Sequence, residues 1–205
     1  MKQEFLRKQF NYGKVFESSR WFIMAICMVL LPALVKAQVP TTAAAYPFSS
    51  SIKTFNFLPG GTTVGTIQTD DAAYAGINIG FPFPFCTGVY TTVSVGSNGY
   101  LCFGNNNINT NYNNKGSGIE PGVFPLFDDI SGSGGTATYL TQGTAPNRTF
   151  TMEWKNWKWN YSASSACISF QVILYEGGVI EFMYHLENGS VLNNSSGASI
   201  GIARN

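Results

Sequence analysis

Between Gly76 and Phe85 the apolar residues Ile77, Ile79, Phe81, Phe83 and Phe85 fall on every second position, alternating with Asn78, Gly80, Pro82 and Pro84. A period of two puts one set of side chains on one face of a strand. Pro82 and Pro84 cannot donate to a ladder, so this strand belongs at a sheet edge or rim. The same alternation runs through Ile168, Phe170, Val172 and Leu174 and, after Gly177-Gly178, through Ile180, Phe182 and Tyr184, which predicts a hairpin. Val93 to Val95 and Tyr100 to Phe103 form a second hairpin around Gly96-Ser97-Asn98-Gly99. Thr54 to Leu58, Val123 to Phe127, Thr136 to Leu140 and Ile200 to Ala203 read as further short strands.

Phe150 to Trp159 is irregular. Met152 and Trp154 share one parity, whereas Trp157, Trp159 and Tyr161 share the other, so a bulge near Asn156 or burial on both faces is needed. Asn105 to Asn114 has seven Asn in ten residues and no apolar period, which predicts a long exposed loop. Short strands, Gly-rich turns and no helical pattern after residue 37 predict an all-β fold. The expected form is an antiparallel β-sandwich or jelly-roll-like single domain.

The N-terminus is built differently. Trp21 to Val35 is a 15-residue apolar run interrupted by Pro32, preceded by a net-positive segment and followed by Val35-Lys36-Ala37. It falls short of the roughly 20 apolar residues a spanning helix needs and ends in small residues, as signal peptides do. We therefore expect a signal peptide over 1–37 with cleavage after Ala37, a mature leader over 38–51, and the sandwich over 52–205. A retained anchor is the second reading of the same run, and the mature chain is expected to have no membrane span.

Charge narrows the partners. After residue 37 there are six basic and nine acidic residues, too little positive charge to neutralise phosphates, so a nucleic-acid partner is disfavoured. Export permits disulfides. Cys86, Cys102 and Cys167 remain after cleavage, and a Cys86–Cys102 bridge between adjacent strands is the expected pair. The odd thiol is then Cys167, buried as a small hydrophobe.

The candidate chemistry is sparse. The single histidine, His185, at a strand end beside Glu187, is a poor start for a nucleophile triad. Glu120, Asp128, Asp129, Glu153 and Glu181 are the carboxylates a glycosidase would draw on, but Glu153 and Glu181 are expected on solvent faces of strands, and no catalytic residue is assigned. Asp128-Asp129 at a strand end, followed by Ser131-Gly132, offers hard oxygen ligands that suit calcium, with Asp70-Asp71 a weaker repeat of the motif. Otherwise no cofactor is expected. Trp157, Trp159 and Tyr161, with Asn156 and Asn160 as hydrogen-bonding neighbours, can form an aromatic platform for sugar rings, or they can fill the core.

Six segments in order, Ile79-Gly80-Phe81-Pro82-Phe83-Pro84-Phe85, Ser97-Asn98-Gly99-Tyr100-Leu101-Cys102-Phe103-Gly104, Pro125-Leu126-Phe127-Asp128-Asp129, Phe150-Thr151-Met152-Glu153-Trp154, Ser169 to Glu176 and Ile180 to Tyr184, resemble the nidogen-like β-sandwich module. The version they are most similar to lies near the N-terminus of secreted bacterial surface proteins exported by the type IX system. The resemblance covers most of residues 45 to 203. It implies a non-enzymatic role in adhesion or surface display, at the cell surface or secreted, with an extracellular protein or glycan as partner. A carbohydrate-binding module using the aromatic platform is the alternative.

Overall fold

From Ile77 to Phe85 every second residue is sealed in the core: Ile77, Ile79, Phe81, Phe83 and Phe85 are each at most 3% exposed, while the residues between them are not buried. The computed structural model describes residues 38–104, 118–188 and 197–204. The expected signal peptide and the Asn-rich loop at 105–114 lie outside the described residues. The strands are β1 (Thr62–Thr63), β2 (Ala73–Phe85), β3 (Gly88–Gly96), β4 (Tyr100–Phe103), β5 (Gly122–Phe127), β6 (Thr136–Gln142), β7 (Thr149–Trp157), β8 (Ile168–Tyr175), β9 (Ile180–Leu186) and β10 (Ser199–Ala203). They form two five-stranded antiparallel sheets, in order β1-β6-β7-β8-β9 and β10-β5-β4-β3-β2. This is the expected all-β sandwich, and β2 with its two prolines is an edge strand.

The inner faces meet through Ile77, Phe83, Val93, Val95, Leu101 and Phe103 from one sheet and Phe150, Met152, Trp154, Phe170, Val172 and Leu174 from the other. Fully burying one such side chain is worth about 1.5–3 kcal/mol. Trp154 and Phe170, opposite each other on β7 and β8, stack with ring centroids 4.9 Å apart. Along β4 the parity splits the residues. Leu101 and Phe103 enter the main core, while Tyr100 and Cys102 join Ile119, Phe124 and Phe127 in a second cluster.

The irregularity in β7 is resolved by a bulge. Register against β8 shifts between Trp154 and Trp157, and Asn156 there has φ +58°. The extra residue returns Trp157 to the inner face alongside Trp154.

Thr54 to Leu58 is not a strand. With Lys53 before it, it lies over the outer face of the β6-β7-β8-β9 sheet, touching β9 through Lys53 and Glu181, β8 through Asn56 and Gln171 and β7 through Leu58 and Glu153. It then feeds β1 onto the edge of β6. Its main chain is bonded by side chains rather than by a ladder. In consequence Glu153, expected in solvent, is only 3% exposed, and Glu181 is engaged by Lys53 and by the Tyr175 hydroxyl at 2.7 Å.

Among the described residues no helix is long and apolar enough to cross a membrane.

Candidate functional site

Three loops converge at one end of the sandwich: residues 69–72 before β2, the β3–β4 turn, and the stretch after β5. Each is tied by main-chain bonds. Ser97 N–H donates to Ala72 O at 2.8 Å, while Ala72 N–H donates to Ser97 Oγ at 2.8 Å. Gly132 N–H donates to Thr69 O at 3.0 Å. Gly132 is confined to glycine because a Cβ there would sit 2.4 Å from the Trp157 ring.

The two buried indoles hold the turn from beneath. Trp154 Nε1–H donates to Gly96 O at 3.1 Å and Trp157 Nε1–H to Ser97 O at 2.9 Å. The turn itself needs Gly99, whose φ is +74° and whose absent Cβ would lie 2.0 Å from Leu126 O.

On this frame stand Asp70, Asp71 and Asp129. One carboxylate oxygen from each lies within 4.8 Å of the others. Asn98 Nδ2–H donates to Asp71 Oδ1 at 2.9 Å, fixing a residue whose φ is +44°. Burial raises Asp129, and the negative charges of Asp70, Asp71 and Asp128 push it further the same way. Asp70 is raised by burial and by Asp71. Three hard oxygen donors in this space can hold a divalent cation of calcium's preference.

The pair named from the sequence, Asp128 and Asp129, is therefore divided. Asp129 joins the cluster. Asp128 turns inward, 3% exposed, and its Oδ1 accepts the Asp129 N–H at 2.8 Å. Asp70 and Asp71, the weaker candidates, supply the other carboxylates. Sequence reading missed this grouping because it spans 58 or more positions; the only local signal was the repeated Asp-Asp.

Of the two readings of the aromatic residues, core filling holds for Trp157 and the three-residue platform is not assembled. Trp157 is fully buried, because the bulge at Asn156 reverses its parity, so it cannot stack on a sugar. Trp159 is half-buried against the core, and only Tyr161, 55% exposed, stands in solvent. Tyr161 N–H donates to Asp129 O at 3.0 Å, which places it beside the acidic cluster. Asn156 N–H donates to Ser169 Oγ at 2.9 Å. Asn160 Oδ1 accepts from Ser162 N–H and Oγ–H at 3.0 and 2.6 Å, a local turn that occupies the amide oxygen.

The expected disulfide is not formed. Cys86, Cys102 and Cys167 are all buried thiols. Cys86 belongs to the main core and Cys102 to the cluster on the other side of β4, so their side chains do not face each other. Burial pushes the Cys86 and Cys167 thiols up; at Cys86 Arg204 opposes it in part.

No curated protein and no solved structure matches this chain. A family model does, over residues 45–205, which includes every described strand and the acidic cluster. By that match the chain belongs to the NIDO-related family.

Proposed function

We propose that this chain is a non-catalytic extracellular interaction module, which presents the loops at the acidic end of a rigid sandwich to a protein or glycan. The observation that carries this reading is the way the loop end is held. Two fully buried tryptophans spend their only polar atoms on the carbonyls of the β3–β4 turn, so the display surface is preorganised, and preorganisation lowers the entropic cost of binding. The family match supports the extracellular setting.

Two of the candidate carboxylates and the histidine are occupied structurally. Glu153 accepts from Leu58 N–H and from Gln171, Glu181 is shared by Lys53 and Tyr175, and His185 packs against Phe55 and Phe57 with ring centroids 5.5 and 5.4 Å away. That favours binding over catalysis. Calcium at Asp70, Asp71 and Asp129 would neutralise the cluster and stiffen the same loops.

The test is a binding panel of extracellular matrix proteins and glycans, read in calcium and again in chelator. Binding that weakens on Asp70→Asn plus Asp71→Asn supports the reading and places the ligand at this end. Glycan binding lost on Tyr161→Ala instead favours the carbohydrate alternative, now resting on Tyr161 and Trp159. Silence across the panel overturns the interaction module.

A further inference from the structure

Residues 53–58 are bound to the β6-β7-β8-β9 sheet in the manner of a ligand. Their main chain is read by two outward-facing polar side chains that share a cross-strand pair on β7 and β8. Glu153 Oε2 accepts the Leu58 N–H at 3.0 Å, and Gln171 Nε2–H donates to Asn56 O at 2.9 Å and to Glu153 Oε2 at 2.6 Å. Both are 3% exposed, the only charged or amide side chains of this outer face so deeply covered among the described residues.

The segment's own side chains reinforce the pattern. Phe55 and Phe57 contact each other with ring centroids 5.1 Å apart and share the His185 ring, Lys155 Nζ lies 4.7 Å over the Phe57 ring, and Lys53 pairs with Glu181. Yet little of the segment is buried. Lys53, Thr54, Asn56 and Phe57 are exposed, and Phe55 and Leu58 only half-buried. The chain before it, residues 47–52, is wholly exposed, with Ile52 fully in solvent, and Pro59-Gly60-Gly61 follows it. An extended Phe-x-Phe segment is thus held between two open tethers by bonds that a main chain of the same sequence can make from outside.

We propose that this outer face is a peptide-docking site closed by the chain's own residues 53–58, and that its occupant in trans is the same segment of a second copy. Lifting the segment returns the Glu153 carboxylate to water rather than stranding it, so opening leaves no buried charge unpaired. The only sequence known from the structure to fit the face is this one, which every copy carries. In cis the tether supplies an effective concentration in the millimolar range, so exchange is a property of crowded copies, as on a surface. This rests on the interaction-module reading above and deepens it by naming a second surface and its partner.

The experiment uses the full chain and a fluorescent peptide of residues 51–60. Phe55→Ala plus Phe57→Ala loosens the cis segment and leaves the floor intact. That variant should bind the peptide about tenfold more tightly than the parent, whose affinity is reduced by its closed fraction, and adding Gln171→Ala should abolish the gain. A tagged loosened copy should also retain untagged parent chain, and free peptide should release it. Equal binding by parent and loosened variant, or binding indifferent to Gln171→Ala, overturns the docking site. Peptide binding without capture of the parent overturns the second copy as occupant. Should the double variant lose its near-UV spectrum, Lys53→Ala serves as the milder loosening. A ligand found by the matrix panel together with no peptide binding fails this inference alone, whereas peptide binding with a silent panel fails the other.

Discussion

Trp157 illustrates how one inserted residue changes a side chain's task. Its indole is sealed in the core and its N–H reaches Ser97 O at 2.9 Å. Trp157→Phe keeps most of the apolar volume and removes the donor, so a buried carbonyl loses its partner at a cost of about 1–3 kcal/mol. Urea unfolding should show a lower midpoint at unchanged slope, and a midpoint equal to the parent's would mean the bond contributes nothing. Asp129→Asn acts in the opposite direction. Its carboxylate is held above the ordinary value by burial and by three neighbouring carboxylates, and removing that charge relieves the repulsion. In chelator the variant should melt about 1–2 °C higher than the parent. In calcium the order should reverse, because the parent keeps all three ligands and ligand binding to the folded state raises its melting temperature.

At the scale of elements, Gly99 decides whether the β3–β4 turn can close. An alanine there meets both a left-handed backbone and the Leu126 carbonyl. The backbone alone costs about 1–2 kcal/mol, so Gly99→Ala should lose at least that much on denaturant unfolding, whereas Gly134→Ala, with open space around its Cβ, should pay only the backbone cost. This turn was legible from Asn98-Gly99, and the β8–β9 hairpin from two clean alternations around Gly177-Gly178, because their signals are local. Thr54 to Leu58 was misread for the same reason. Its alternation of Phe55 and Phe57 imitates a strand, but its partners Glu153 and Gln171 lie 95 and 115 positions away. A period of two reports which residues share a face, not whether main-chain groups meet a ladder or a side chain. The acidic site was half legible: Asp-Asp at two loop ends signals carboxylates, but only the closing of the sheets brings Asp129 to Asp70 and Asp71.

Across the whole molecule, carboxylates pull stability in opposite directions as pH changes. Asp70 and Asp129 have folded values above their ordinary one of 3.8, chiefly through burial and then through neighbouring charge, that of Asp71 at Asp70 and those of Asp70, Asp71 and Asp128 at Asp129. A group raised on folding contributes most when protonated. That contribution is complete below about pH 3.8 and is lost as pH rises through the raised value. Glu176 is the reverse: the Arg148 guanidinium beside it holds its carboxyl at about 2, against an ordinary 4.5. Its contribution is complete above about pH 4.5 and fades as pH falls toward 2. Glu181 adds to the second group, since Lys53 and Tyr175 outweigh the opposing effect of burial and leave it lowered. Melting temperature in chelator should therefore climb on mild acidification from neutral pH, pass a maximum in the ordinary carboxylate range, and fall below it. Each limb has its own control. Asp70→Asn plus Asp129→Asn should flatten the climb and spare the fall, while Glu176→Gln should lower the plateau at neutral pH and blunt the fall. A melting temperature that declines monotonically from neutral pH in the parent would show that the repulsion among Asp70, Asp71 and Asp129 is screened away by solvent. The loop end would then be held by its tryptophans and main-chain bonds alone.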